Sequence, residues 1–530
     1  MAILPGVYSA KNFSLSFNMP AFLRLYFIFY LASAPIYAAT FFIDAHKGND
    51  NASGTSEESA WQSLARVQEI RLQAGDQVLL KSGQIFFGQF YTDQSGKPGE
   101  PIILSAYGIG PKPVIASEGK FRAAVHLDNA QHWIVQGVEI TNKGAEPKAK
   151  RCGLLISANK GGVLRDIIVR GNTVRDINGV FSKNAGGGTG IRWEVSNQNK
   201  PTRLDGLLIE NNHLIRCDRD GIKGWMQPWS DLSNLSTNTV IRGNLLEDIG
   251  GDGIVIIGME GTLVEYNRLY GLRERILGIN EEKEVSLNAG PSIGIWPWSS
   301  KNTHIRFNEV WGYEGTFDGQ GLDSDWNCEG TLFEYNLSAD NKGGFFLICT
   351  WSKLEESGES IGNVDTLIRH NISLNDHVRG FVLNGPVRNL TIDGNIIFNT
   401  IEDRFQVVID TPWENGHFSD SVSFTNNLVY TRGSALISQG VWHPSGLGLW
   451  KPSQAINRET IYLSGNSYTN VEGFGGIRHE EPGSKKLSPI ETLGSLIKSF
   501  DQNQAAKKGF GKMLEFLKGS RNWAQIKATL

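Results

Sequence analysis

A chain of 530 residues, 40% hydrophobic and 20% charged, with 61 Gly against 18 Pro and no long low-complexity tract, is neither disordered nor collagen-like. Lys+Arg 51 against Asp+Glu 55 gives a formal net charge of −4, which removes any global electrostatic argument for nucleic acid or an anionic membrane surface. The glycine excess points to an ordered protein rich in tight turns, and 14 Trp supply flat apolar faces for a core or a ligand.

The chain begins with the pattern of an export leader. Arg24 precedes an apolar run over residues 25–34, and Pro35-Ile-Tyr-Ala38-Ala39 follows. The run is too short to span a bilayer and ends in small residues, so residues 1–39 are read as a cleaved secretory signal, with Met19 as the true start. A secreted or periplasmic protein without membrane insertion, acting as a monomer, is the expectation. Residues 40–120 then hold a first strand, Phe41-Phe-Ile-Asp44, and a segment in which Trp61, Leu64, Val67 and Ile70 share one helical face. The stretch Gly75-Asp76-Gln-Val-Leu-Leu-Lys-Ser-Gly83 is a further strand between turns.

From about residue 164 one short phrase recurs: a strand-like alternation, one or two mostly polar residues, then Asn. Its ten copies end at Asn172, Asn212, Asn244, Asn267, Asn308, Asn336, Asn371, Asn395, Asn427 and Asn466, with shortest spacings of 23 and 24 residues. A second strand opens eight or nine residues later at Gly221, Gly253, Gly344 and Gly380, and after insertions at Gly190, Gly294 and Gly321. A two-residue period excludes helical repeats, and 23 residues are too few for a propeller blade. A unit of two or three short strands cannot bury its apolar face alone, but stacked units close a continuous core. The expectation is an all-β, parallel β-helix over residues 121–480, with the Asn amides hydrogen-bonded along the axis as a ladder. After residue 480 the repeat stops. Residues 490–496 and 513–517 read as helical, so 481–530 is taken as a short helical tail that caps the last coil or lies on its side. Cys152, Cys217, Cys328 and Cys349 form no metal-ligand spacing and are either disulfide-paired or buried thiols.

These phrases, with the entry segment Phe41 to Asp50, Trp61 to Leu64 and Gly75 to Gly83, resemble the right-handed parallel β-helix proteins of the pectate-lyase-like superfamily over roughly residues 40–480. The resemblance implies a single-stranded right-handed solenoid whose open first coil is closed by an N-terminal capping helix. It also implies a carbohydrate-active enzyme, either a polysaccharide lyase or a glycoside hydrolase. The familiar lyase and polygalacturonase motifs are not matched residue by residue.

If the residue after each Gly points into the core, the second and fourth point outward. The outward pairs are then Arg192/Glu194, Lys223/Trp225, Val255/Ile257, Trp296/Trp298, Asp323/Asp325, Phe346/Ile348 and Val382/Asn384. With coils about 4.8 Å apart, this strip matches a polysaccharide of several sugar units. Asp318, Asp323, Asp325, Lys342, His377 and Arg379 concentrate on three successive coils beside Trp296 and Trp298. Asp220 and Asp252, each before a Gly, are read as turn residues.

Two chemistries fit. In β-elimination from a uronic-acid polymer, the main reading, Lys342 or His377 is the base and Arg379 the substrate clamp, and Asp318, Asp323 and Asp325 offer calcium its oxygen ligands, as in lyases of the resembled superfamily. In glycoside hydrolysis, Asp323 with Asp325 or Asp318 supplies acid and base or nucleophile. Arg192, Glu194, Lys223, Trp225 and Trp229 would bind more distant sugars. A non-catalytic polysaccharide-binding solenoid is the third reading. It would keep the Trp strip and tolerate loss of the carboxylates.

Overall fold

The structure, a computed structural model, describes residues 38–180, 186–271, 292–314, 318–413, 416–441, 451–454, 456–457, 459–470, 483–489, 491–500 and 504–530. The leader expected at residues 1–39 falls almost wholly outside them. Among the described residues no helix is long and apolar enough to cross a membrane.

Residues Ala38–Leu530 form one compact unit, in which the described residues build three sheets of 19, 14 and 13 strands. Each coil contributes to the three in turn. Thr202–Glu210 lies in the first sheet, His213–Cys217 in the second and Ile222–Gln227 in the third, and each strand pairs in parallel with its counterparts one coil away. The antiparallel pairing of Ala435–Val441 with Lys451–Gln454 closes the third sheet. This is the expected right-handed parallel β-helix, with its core inside the coil stack.

All ten repeat asparagines are buried and joined in one ladder. Each side-chain Nδ2 donates to the Oδ1 of the Asn one coil on, at 2.9–3.0 Å from Asn172–Asn212 through Asn427–Asn466. The residue before each ladder Asn is in the left-handed region, as Gly at 171, 243, 394 and 465 but as Tyr266, Phe307, Tyr335 and His370 in four neighbouring coils. The four rings stack in order, with centroids 5.2–5.4 Å apart. The strained turns of these coils are thus held by ring packing where glycine would relieve them.

Deleting one ladder side chain removes the acceptor for two donors of the preceding Asn and the donor to a backbone carbonyl of that same coil. Asn336 accepts from Asn308 N and Nδ2 and donates to Ile305 O and Asn371 Oδ1. At about 1–3 kcal/mol for a buried group left unsatisfied, Asn336→Ala is expected to cost about 3 kcal/mol or more, read as a lower urea midpoint. A midpoint within error of wild type would remove the ladder from the account of stability.

The glycines that open the third-sheet strands answer to space, not to a hinge conformation. Gly190, Gly221, Gly253, Gly294, Gly321 and Gly380 have ordinary φ, but a Cβ on any of them would come within 2.3–2.6 Å of atoms across the narrow corner, such as Val310 for Gly294 and Leu246 for Gly221. Phe345 takes this place in one coil, because Gln320 pairs with Gly344 and Leu322 with Phe346. The outward pair there is therefore Leu347/Cys349, and the expected Phe346/Ile348 face the core. The one-residue shift turns every side chain of that strand over.

At the N-terminal end Trp61, Leu64 and Val67 are buried and Ile70 packs beside them, but α1 (Ala65–Gln68) is a single turn and Trp61 bridges to Ile43 as extended chain. The tail forms α3 (Leu493–Ser499), α4 (Gln504–Leu517) and α5 (Trp523–Thr529), after a short α2 (Ser352–Glu356) inside the solenoid. It lies on the outer face of the second sheet. Ala506, Phe510, Met513 and Leu517 of α4 pack with Tyr335, Leu337, Ile372 and Phe398, and Tyr335 sits where a side chain at Gly509 would go. Glu309, wholly buried, is held there by Ser520, Tyr270 and Arg268.

All four cysteines are buried free thiols.

Candidate active site

The outer face of the third sheet carries the expected row elsewhere. Arg192, Lys223, Val255 and Trp296 follow one another coil by coil, as do Glu194 and Trp225, and then Ile257 and Trp298. The next coil brings Asp323, in the strand Gln320–Ser324, with Asp325 just beyond its end.

Asp323 is 1% and Asp325 8% exposed, and Asp323 stands between Trp296 and Leu347 of the adjoining coils. One oxygen of each carboxylate and the Cys349 sulfur all lie within 4.8 Å of one another. Asp325 Oδ1 accepts from the Trp326 backbone N–H at 2.8 Å and from the Cys349 thiol at 2.9 Å. Burial pushes the Cys349 thiol far up, and the charges of Asp325, Asp323 and, least, Asp318 push it further. Two side chains hold the strand end in place. Asn363 Nδ2 donates to Ser324 O at 2.5 Å and to Asp325 O at 3.1 Å, and Asn327 Nδ2 donates to Ser299 Oγ at 3.0 Å.

Six indoles form a connected wall at this exit from the sheet. Trp298 touches Trp229, Trp225 and Trp326 with centroids 5.3, 5.9 and 5.9 Å away. Trp326 touches Trp413 and Trp351, which stack on each other at 6.0 Å. All six are half-buried. The indole N–H groups of Trp298, Trp326 and Trp351 are buried without a hydrogen-bond partner, three donors left for a polar ligand. Trp326, Trp351, Trp413 and Cys349 were not among the expected site residues. The available signal is positional: a Trp stands one or two residues after Asp325, Cys349 and Thr411, the second outward position of three coils.

Other expected residues are placed differently. Lys342 and His377 lie in turns that enter the third sheet, at the opposite end of the strands from Asp325. There His377 Nε2 is 3.0 Å from Lys342 Nζ and 2.9 Å from Asp340 Oδ1. Arg379 is 1% exposed in the core-facing register, and its Nε donates to Gly343 O at 3.0 Å. Burial lowers its pKa to about 10, and the nearby Asp318 offsets part of that. It braces the turn that carries Asp318, through Nη2 to Asp318 O at 3.4 Å, and is no exposed clamp.

Arg192, 6% exposed, is paired with Glu194 at 2.6 Å. Lys223 sits in a buried quartet, 3.1 Å from Asp220 and 3.6 Å from Asp252, while Arg219 lies 3.1 Å from Asp252. Asp220 and Asp252 are thus ion-pair partners beyond their turn geometry.

For calcium, the donor set fits poorly. Among the described residues the convergent group is two carboxylates and a thiol, against the six to eight oxygens that ion prefers.

No family model matches the chain. It is 26% identical over 490 residues to a lacto-N-biosidase of Bifidobacterium longum subsp. longum, an alignment covering 74% of this chain and 30% of that protein. The chain therefore spans less than a third of that relative's length. Among solved structures it is similar to the GH136 lacto-N-biosidase from Eubacterium ramulus, with a TM-score of 0.57 and 25% identity over 68% of this chain and 64% of that one. A selenomethionine form of the same protein gives 0.58 and 23% over 76% and 67%. With three parallel sheets, the Asn ladder and these neighbours, the chain has the right-handed parallel β-helix fold of the pectate-lyase-like type.

Proposed function

We propose that the chain is a carbohydrate-active enzyme, and within that class a glycoside hydrolase that uses the Asp318, Asp323 and Asp325 carboxylates. The observation that carries this reading is the carboxylate pair, with oxygens within 4.8 Å, at the foot of a wall of six Trp. Sugars stack their apolar faces on indoles, and two carboxylates are what acid-assisted cleavage of a glycosidic bond requires. The relatives, both lacto-N-biosidases, point the same way. The elimination reading loses ground because Lys342 and His377 engage each other and Asp340.

In the mechanism, Asp325 is the nucleophile or base. Two donors converge on its Oδ1, which suits a carboxylate that must stay ionised and fixed. The proton for the leaving oxygen comes from Asp318, half-buried in the turn that leads into this strand, whereas Asp323 is almost wholly covered and tunes Asp325 by its charge.

Lacto-N-biosidase activity is the first specificity to test. Purified protein incubated with oligosaccharides and a panel of neutral and acidic polymers should release new reducing ends from at least one, without unsaturated uronate absorbance. Trp298→Ala should raise KM about 10-fold or more on that substrate by removing a stacking face and an N–H donor. Absorbance from unsaturated products would replace this reading with elimination. Binding without turnover would favour the non-catalytic solenoid.

A further inference from the structure

The Cys349 thiol touches Asp325 because of a local exception in the repeat. Phe345 occupies the corner that glycine fills in neighbouring coils, and the shifted register brings Cys349 rather than Ile348 to the outer face. Cys349 ends the strand Gly344–Cys349, is 3% exposed, and its Sγ lies 2.9 Å from Asp325 Oδ1. The same side chain that fastens the Asp325 backbone reaches this strand too: Asn363 Nδ2 lies 3.1 Å from Asp325 O and 3.5 Å from Cys349 O. Carboxylate and thiol are therefore held as one rigid unit, and the Trp326 N–H at 2.8 Å completes the pair of donors on one oxygen.

The thiol can only be the donor here. A carboxylate oxygen accepts, and burial beside the charges of Asp325 and Asp323 keeps the sulfur protonated. Cys349 is therefore neither a nucleophile nor a disulfide partner, and it is free and buried. The site's apolar surroundings would accept Val or Ala at this position for packing alone, so the S–H contact is what distinguishes cysteine there.

We infer that Cys349 is a positioning residue for catalysis: its S–H hydrogen bond to Oδ1 fixes the rotation of the Asp325 carboxylate and so aims its other oxygen at the reacting carbon. This inference rests on the proposed hydrolytic role of Asp325. No bond to sulfur is made or broken in the reaction.

Two measurements test it. In the first, kcat/KM is followed against pH for wild type, Cys349→Ala and Cys349→Ser. A donor to a carboxylate favours its ionised form, so losing the donor makes Asp325 easier to protonate. For Cys349→Ala the acid limb should move up by about half to one pH unit, with kcat down about 10-fold and KM within about twofold. Cys349→Ser, which keeps a donor of similar size, should restore the limb and most of kcat. A limb unmoved in Cys349→Ala, with wild-type rates, overturns the inference while leaving the proposed function standing.

The second measurement does not depend on turnover. The infrared S–H stretch of Cys349, identified as the band lost in Cys349→Ser, should lie at the low frequency of a hydrogen-bonded thiol and rise in Asp325→Ala. A band at the free-thiol position in wild type contradicts the hydrogen bond itself. If wild type hydrolyses nothing, the proposed function falls and takes the catalytic role of Cys349 with it, whereas the infrared result still shows whether the contact exists.

Discussion

Asp325→Asn is expected to lower kcat at least ~10²-fold while leaving the melting temperature within a few degrees of wild type. The amide is nearly isosteric and its oxygen still accepts from Trp326 N–H and the Cys349 thiol, so the packing at the foot of the Trp wall survives. What is lost is the negative charge that attacks or stabilises the anomeric carbon. Asp318→Asn should show a comparable loss on substrates with poor leaving groups and a smaller one where the leaving group needs no proton. Asp323→Asn should fall between these and wild type, because that carboxylate acts on its neighbours through charge. Initial rates on one natural and one activated glycoside separate the three. Turnover within about fivefold of wild type in Asp325→Asn would remove this residue from the chemistry.

Asp252→Ala is expected to be the most damaging substitution away from the cleft. Arg219, Asp220, Lys223 and Asp252 are two cations and two carboxylates, all at least nine-tenths buried, where two successive coils enter the third sheet. Asp252 also accepts the Ile293 backbone N–H at 3.1 Å, which ties the quartet to the turn that enters the Trp296 strand. Replacing a buried pair by apolar residues is often neutral, but removing one partner strands the others' charge, at about 3–5 kcal/mol. The urea midpoint of Asp252→Ala should fall accordingly, and Asp252→Asn should recover part of the loss. Since a solenoid is stabilised mainly by neighbour contacts, protection from hydrogen exchange should drop most in the coils around residues 219–223 and 251–254. A midpoint unchanged by the Ala substitution would show that Arg219 and Lys223 find other partners.

The solenoid was legible because its constraint repeats. An Asn that must meet its equivalent one coil away cannot drift in the phrase, and all ten copies named from the sequence stand in the ladder. The outward row was legible for the same reason, through strict alternation from glycine. It failed at Phe345, where the corner accepts a ring and Gly344 lies one residue early. That single slip hid Cys349. Trp351 and Trp413 were not legible, because they lie beyond the strand, where chain spacing no longer tells which turn faces which. Arg379, His377 and Lys342 were named for their chemical type, although the alternation that turns Val382 and Asn384 outward turns Arg379 inward, and His377 and Lys342 precede their strands where Asp325 follows its own. Lys223 was placed on the right face but not in its buried ion-pair quartet, since Arg219 and Asp252 reach it across coils.

The central claim, hydrolysis by the carboxylates of Asp318, Asp323 and Asp325, is tested most directly by running the reaction in oxygen-18 water and reading the products by mass spectrometry before the hemiacetal exchanges. Hydrolysis places one solvent oxygen on the anomeric carbon of the released sugar, and Asp325→Asn should abolish that labelled product. Products that carry no solvent oxygen and are lighter by one water on the new non-reducing end would show elimination and contradict the account.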